Sequence, residues 1–249
     1  MPEYWLIASF FVVSVLYSSV GFGGGSSYAA LLAACGIDIY LVRMTSLLCN
    51  ITVVTGNTIR FSAANYVPWR KIIPLTAVSV PLAFMGGLMS IDEHLLLITL
   101  GAALITAGAL SVIKFKETQK PVLSKGAESA VTLISGAVTG YLAGMVGIGG
   151  GIFLAPILLL VKWDTPKRIA AAASFFILAN SIAGLFGQLV NGHFNVDWAF
   201  VLPLAAAVLV GGQIGVRLTV KRLSPRLVKA MVGILIIFVG ARILLTELA

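Results

Sequence analysis

The sequence predicts an all-α polytopic membrane protein made of two inverted-topology repeats, and three observations predict it. Hydrophobic residues make up 59% of the chain and charged residues only 10%, far below the roughly 25% charged residues of an ordinary soluble domain. Long stretches are apolar on every face and approach the ~20 residues needed to cross a ~30 Å hydrocarbon core. A β-barrel would instead show ~10-residue alternating segments. Finally, a glycine-rich motif occurs twice, as Gly21-Phe22-Gly23-Gly24-Gly25 and as Gly147-Ile148-Gly149-Gly150-Gly151.

The apolar stretches, in order, are Trp5–Val20, Met44–Ile59, Ile72–Met89, Leu95–Ile113, Ser129–Val146, Ile169–Val190, Trp198–Val216 and Leu227–Leu245. The segment before Trp5 carries Glu3 and no Lys or Arg, and no small-residue cleavage site follows it, so the first helix is expected to be retained. Cys35 and Cys49 lie in apolar segments without metal or redox spacing. The net charge of +8 does not point to nucleic acid. The basic residues sit in short clusters between apolar runs, which is the pattern of membrane topology.

The repeat has a period near 128 residues, as from Gly56 to Gly184. After each glycine motif comes a short apolar segment, then Asp38 or Asp164, then Arg43 or Arg168, then Thr45-Ser46 or Ala173-Ser174. Further along, Trp69 matches Trp198, Pro74 matches Pro203, Gly101 matches Gly233 and Gly108 matches Gly240. These pairs divide the chain into a first transmembrane repeat over 1–113, a basic linker over 114–127 and a second repeat over 128–249.

Charge orients the halves, because loops rich in Lys and Arg stay in the cytoplasm. The Arg60/Arg70/Lys71 loop corresponds to the His193/Asp197 loop, which has no Lys or Arg; the Asp92/Glu93/His94 loop corresponds to Arg217/Lys221/Arg222/Arg226/Lys229. Equivalent loops thus carry opposite charge character. One threading places 15 of the 17 basic residues inside, with Arg43 and Arg242 outside and both termini periplasmic. The expected location is the bacterial inner membrane.

The glycine motifs are the least helix-friendly stretches of the chain, glycine costing about 1 kcal/mol per residue against alanine in a helix interior. They are expected to break helices and to be followed by short segments, Ser26–Ala34 and Ile152–Val161, of about half the bilayer thickness. Non-helical backbone survives at membrane depth only beside protein or a watery cavity. Broken helices at matching places in two inverted halves mark the binding site in many secondary transporters.

A half-helix starting there presents unpaired N–H groups and the positive end of its dipole, so the natural guest is an anion. The alternative is that these glycines only let helices pack closely. Candidate binding residues are Gly23, Gly24, Gly25, Ser26 and Ser27 at the first break and Gly149, Gly150 and Gly151 at the second. Thr45, Ser46, Asn50, Ser174, Asn180 and Gln188 on the following spans complete the set. Thr52, Asn57 and Ser181 are further polar residues on these spans. Any single Ser or Thr can instead bond back to its own helix, and any Asn can bridge helices.

All nine carboxylates (Glu3, Asp38, Asp92, Glu93, Glu117, Glu128, Asp164, Asp197 and Glu247) fall at loops, span ends or termini, and so do His94 and His193. No proton relay, metal-ligand cluster or Ser/His/Asp arrangement is visible within the spans. Neither a cofactor nor a metal is expected, nor an enzymatic activity. With ~100 mV negative inside, each negative charge leaving gains about 2.3 kcal/mol, so anion export needs no coupling ion.

With the motifs Gly21-Phe22-Gly23-Gly24-Gly25-Ser26 and Gly147-Ile148-Gly149-Gly150-Gly151, followed by Ala172-Ala173-Ser174 and Gly187-Gln188-x-x-Asn191-Gly192, the chain resembles the TauE/SafE sulfite exporter family of membrane permeases. The resemblance covers essentially the whole chain. It implies transport of sulfite, thiosulfate, sulfoacetate or another organosulfonate. The second half of the family often carries Thr-Ser where this chain has Ala173-Ser174.

The function expected is a secondary transporter, an exporter or facilitator of sulfite or of an organosulfonate such as sulfoacetate. The partners expected are that small anion, membrane lipids and a second copy of the chain in a homodimer, without nucleic acid. Two alternatives stay open: a non-transporting membrane assembly subunit, and an importer of another small solute.

Overall fold

The structure, a computed structural model, describes residues 2–19, 21–89, 92, 94–95, 98–99, 101–102, 105–106, 109, 125–192, 196–219, 237, 240–241 and 244–245. The expected spans Leu95–Ile113 and Leu227–Leu245, most of the 114–127 linker, Arg242 and His193 lie largely or wholly outside the described residues. The elements are helices α1 (Tyr4–Ser18), α2 (Gly25–Ala34), α3 (Ile39–Ala63), α4 (Trp69–Leu88), α5 (Lys125–Val146), α6 (Gly151–Leu160), α7 (Pro166–Val190) and α8 (Trp198–Thr219). Among the described residues, five helices are long and apolar enough to cross a membrane, the span of α3 being Ile39–Ala63 and that of α7 Lys167–Val190. The chain is an all-α, multi-pass membrane protein.

The breaks follow from backbone chemistry. At the end of α1, Gly21 takes φ +84° while Phe22 N–H donates to Tyr17 O at 2.9 Å. At the end of α5, Gly147 takes φ +79° and Ile148 N–H donates to Ala143 O at 3.2 Å. A residue in the left-handed region stops a helix by turning the chain back onto its last carbonyls, and glycine alone does so without a Cβ penalty. Four residues after Gly21 and Gly147 the chain restarts as α2 or α6, each 10 residues long, or about 15 Å at 1.5 Å per residue. The half-span segments expected after the glycine motifs are therefore present.

Other boundaries are read from ordinary caps. Asp38 accepts from Tyr40 N–H and Leu41 N–H at 3.0 and 3.1 Å at the start of α3. Asp197 does the same for Ala199 and Phe200 at the start of α8. Pro166 opens α7, where the missing N–H costs nothing.

Helices pack by close backbone approach at glycines as well as around buried large side chains such as Phe10, Tyr28 and Phe176, close approach being expected where lipid supplies no hydrophobic drive. A Cβ on Gly140 would lie 2.6 Å from Ser79 O, one on Gly187 would fall on Phe84 O, and one on Gly215 on Val15 O. α1 packs on α8 and α4 on α5, while α3 and α7 lie against each other and each touches a helix of the opposite half. In both α3 and α7, 61% of the span is buried, against 39% in α4 and α8, so α3 and α7 form the centre. Ile73, Val138, Phe186, Leu202 and Val210 point outward as a lipid-facing surface.

One end of the bundle is tied by charge. Lys71 Nζ sits 3.2 Å from Asp164, which Arg168 approaches at 3.5 Å; Lys71 also donates to Trp163 O at 2.6 Å. Lys167 lies over the Tyr66 ring at 5.1 Å.

Candidate functional site

The two breaks meet at one side chain. Gly25 N–H, the first of α2, donates to Asn50 Oδ1 at 2.9 Å. A backbone N–H can only donate, so the amide must turn its oxygen toward it and its NH2 elsewhere. That Nδ2 is buried without a partner. A Cβ on Gly149, in the second break, would lie 2.9 Å from Asn50 Nδ2 and 2.9 Å from Ser181 Oγ, itself buried and unpartnered. A Cβ on Gly25 would fall on the same amide nitrogen. Asn50 is therefore wedged between the breaks, pinned by one and presenting its donor to the other.

The glycines each have a stated task. Gly24 caps α2 at φ +92°, and a Cβ there would come 2.8 Å from the Tyr28 hydroxyl. Gly23 leaves the space that Asn50 Oδ1 and Val54 fill. Gly149 and Gly150 take φ of +74° and +72°, and Gly150 O accepts from Phe153 and Leu154 N–H at the start of α6. Gly151 leaves room for the Ile177 side chain.

Several polar candidates are committed elsewhere. Tyr17 Oη pairs with Ser27 Oγ at 2.7 Å and with Ser26 Oγ at 3.4 Å. Ser174 Oγ donates to Gly21 O at 2.6 Å, bracing the first break from the second half. Thr52 bonds back to Leu48 O, and Asn180 Nδ2 bonds back to Phe176 O at 2.8 Å, leaving its Oδ1 without a partner. Asn57 Nδ2 reaches Phe22 O at 3.5 Å. Thr45, Ser46 and Gln188 are buried with side-chain atoms that have no partner. The structure thus gathers Gly23, Gly25, Asn50, Gly149 and Ser181 at one point, with Gly24, Gly150 and Gly151 forming the adjoining turns.

The halves meet through equivalent contacts, but one residue away from the alignment of Thr45-Ser46 with Ala173-Ser174. A Cβ on Gly21 would come 2.8 Å from Ala170 Cβ, and one on Gly147 would come 2.7 Å from Arg43 Cα. Gly25 faces Asn50 as Gly151 faces Ile177. Arg43 thus corresponds to Ala170, not Arg168, and Asn50 to Ile177. Shifts of one residue (Thr45 against Ala173) and of two (Arg43 against Arg168) leave no trace in short matching pairs when the two helices are of equal length.

Arg43 itself departs from expectation. It lies in the second turn of α3 with 1% of its surface exposed, not in an outer loop. Its guanidinium reaches Met89 O at 3.3 Å, Gly86 O at 3.4 Å and Gly144 O at 3.2 Å, and Nε has no partner. At the other end of α3, Arg60 donates to Gln213 Oε1 at 2.7 Å. The signal for Arg43 was its spacing of seven from Asn50 and of fourteen from Asn57, two helical heptads on one face.

Comparison with known proteins places the chain among membrane transporters by similarity. Residues 6–243 match the family model described as Sulfite exporter TauE/SafE. A protein of Sinorhizobium fredii named as a probable membrane transporter is 30% identical over 96% of this chain and 97% of its own length. Another so named, from Methanocaldococcus jannaschii, is 23% identical over 96% and 94%, and one from Bacillus subtilis is 24% identical over 92% and 78%. No solved structure gives a significant match. With the family model spanning almost the whole chain, this membrane protein belongs to the TauE/SafE sulfite exporter family.

Proposed function

We propose that the chain is a secondary transporter that carries sulfite or an organosulfonate anion, such as sulfoacetate, outward across the inner membrane. The observation that carries this reading is the Asn50 amide, pinned through its oxygen by Gly25 N–H so that an unpaired donor faces Gly149 and the unpaired Ser181 hydroxyl. An unpartnered buried amide or hydroxyl costs on the order of 1–3 kcal/mol, and an anion's oxygens would relieve both. The N-termini of two half-helices add partial positive charge at the same place. A sulfonate offers three acceptor oxygens to such donors.

Inverted halves fit the contacts. Leu47 lies 3.7 Å from the Cβ position of Gly184, and Asn50 lies level with Ser181 at Gly149, so α3 and α7 run antiparallel although they are equivalent elements. Both termini are then periplasmic, with the Lys71/Asp164/Arg168 end of the bundle cytoplasmic. Membrane potential alone drives an anion in the outward direction.

Proteoliposomes test the reading directly: saturable flux of sulfite or sulfoacetate, weakly inhibited by chloride, is expected. Gly24→Val and Gly150→Val should each abolish that flux in protein that still purifies as a monodisperse species. Absence of saturable flux in the unaltered chain, or full flux in both variants, rejects it.

A further inference from the structure

A guanidinium buried at 1% exposure needs compensation, since an unpaired ion in the interior costs several kcal/mol even after relaxation. Among the described residues Arg43 has no carboxylate partner. Its contacts are the three carbonyls at 3.2–3.4 Å, longer than the 2.9–3.0 Å of an ordinary N–H···O bond. They belong to the C-terminal turns of α4 and α5, where helix dipoles favour a cation. That holds the charge in place without saturating it, because Nε remains unpartnered.

Gln188 is the second group. It is 1% exposed, and neither its Oε1 nor its Nε2 has a partner. The antiparallel register of α3 and α7, with Leu47 beside Gly184 and Asn50 level with Ser181, sets Gln188 level with Arg43. Both flank the same turn of α4: Arg43 bonds Gly86 O and Met89 O, and Gly187 rests on Gly87. Between this point and Asn50, on the same face of α3, stands Ser46, whose buried hydroxyl is also unpartnered. Seven residues of helix separate Arg43 from Asn50, about 10 Å.

We infer that Arg43 and Gln188 form a second anion station, reached from Asn50 past Ser46, so that the solute crosses along one buried polar stripe of α3. The inference rests on the transport reading above. The Arg43 fork supplies the full positive charge that the glycine breaks lack, and the Gln188 amide supplies a neutral donor beside it. Two stations about 10 Å apart, with Ser46 between them, let an anion leave the central site without passing through hydrocarbon. Among the described residues the position that answers to Arg43 is Ala170, which carries no charge.

The rival reading is that Arg43 merely caps α4 and α5. The test measures sulfite and sulfoacetate flux against concentration in proteoliposomes, with thermal unfolding of each purified variant. Arg43→Gln and Gln188→Leu are expected to raise half-saturation at least about tenfold, and Arg43→Lys less than about threefold. A lowered unfolding temperature in Arg43→Gln with unchanged half-saturation makes Arg43 a cap and overturns the station. If Arg43→Gln does not fold, Gln188→Leu decides, since it removes no helix cap; wild-type constants there overturn the inference. An Asn50→Leu arm separates the two proposals. Lost flux in Asn50→Leu beside wild-type constants in Arg43→Gln and Gln188→Leu leaves the central site standing and removes the second. Wild-type flux in Asn50→Leu removes both.

Discussion

The first helix break faces an amide where the second faces a hydrocarbon. Asn50 accepts from the first N–H of α2, while Ile177 fills the same place against Gly151 of α6. The backbones differ in step: Gly23 carries no positive φ, whereas its counterpart Gly149 sits at +74°. The second break thus holds three left-handed glycines where the first holds two, and a Cβ on Gly149 would meet the Asn50 Nδ2 and the Ser181 hydroxyl. On the proposed reading, the two glycine motifs divide the work. The first half supplies the oriented donor, and the second supplies the backbone that closes over it.

This division is broken most severely at Gly149. Gly149→Ala places a methyl 2.7 Å from Ile177 Cγ2 and 2.9 Å from both unpaired donors, in a conformation costing an L residue about 1–2 kcal/mol. Flux should fall at least about 100-fold in proteoliposomes, while the purified protein keeps its helical circular dichroism. Retained flux would mean that the solute does not pass between the breaks.

The amide and the hydrocarbon should then respond oppositely to small changes. Asn50→Ala deletes the pinned donor; a hydrogen bond to a charged group is worth roughly 1.5–3 kcal/mol, so half-saturation should rise about 10- to 100-fold. Ile177→Val, at the equivalent position, removes one methylene at about 0.5–1.5 kcal/mol of stability and should leave half-saturation within about twofold. Equal effects of the two on flux would contradict the division. Thermal unfolding separates the stability cost from the transport effect.

Much of this was legible in the sequence, for physical reasons that can be named. The half-helices α2 and α6 could be placed because consecutive glycines oppose a helix so strongly that no neighbour restores it. The long spans could be placed because the bilayer sets their length. The choice among polar candidates was not legible, since it depends on which hydroxyls bond back to their own helix, as Thr52 and Thr55 do, and which are left without a partner, as Ser46 and Ser181 are. Ser26, Ser27 and Ser174, all ligand candidates by residue type, also bond Tyr17 and Gly21, contacts that only the fold reveals. Arg43 and Arg168, at the span ends, were the arginines the sequence pointed to for such a site, but the burial of Arg43 was not legible, because a charged residue near a span end also reads as a loop. Only the carbonyl ends of α4 and α5, brought together by tertiary packing, make its burial tolerable.

Ser174 gives the smallest and most discriminating comparison. Its hydroxyl crosses from the second half to Gly21 O at 2.6 Å and shares Ala170 O at 3.1 Å, so it holds the first break in register without touching the wedge at Asn50. Ser174→Ala should lower the unfolding free energy by about 1 kcal/mol, the net worth of a neutral buried hydrogen bond, and shift half-saturation less than about threefold. The check is thermal unfolding and flux measured on the same preparation. A tenfold rise in half-saturation with unchanged stability would make Ser174 a ligand, and would move the solute from the Gly25–Gly149 junction toward the Gly21–Ala170 junction, where the second half rather than the first would supply the oriented donor.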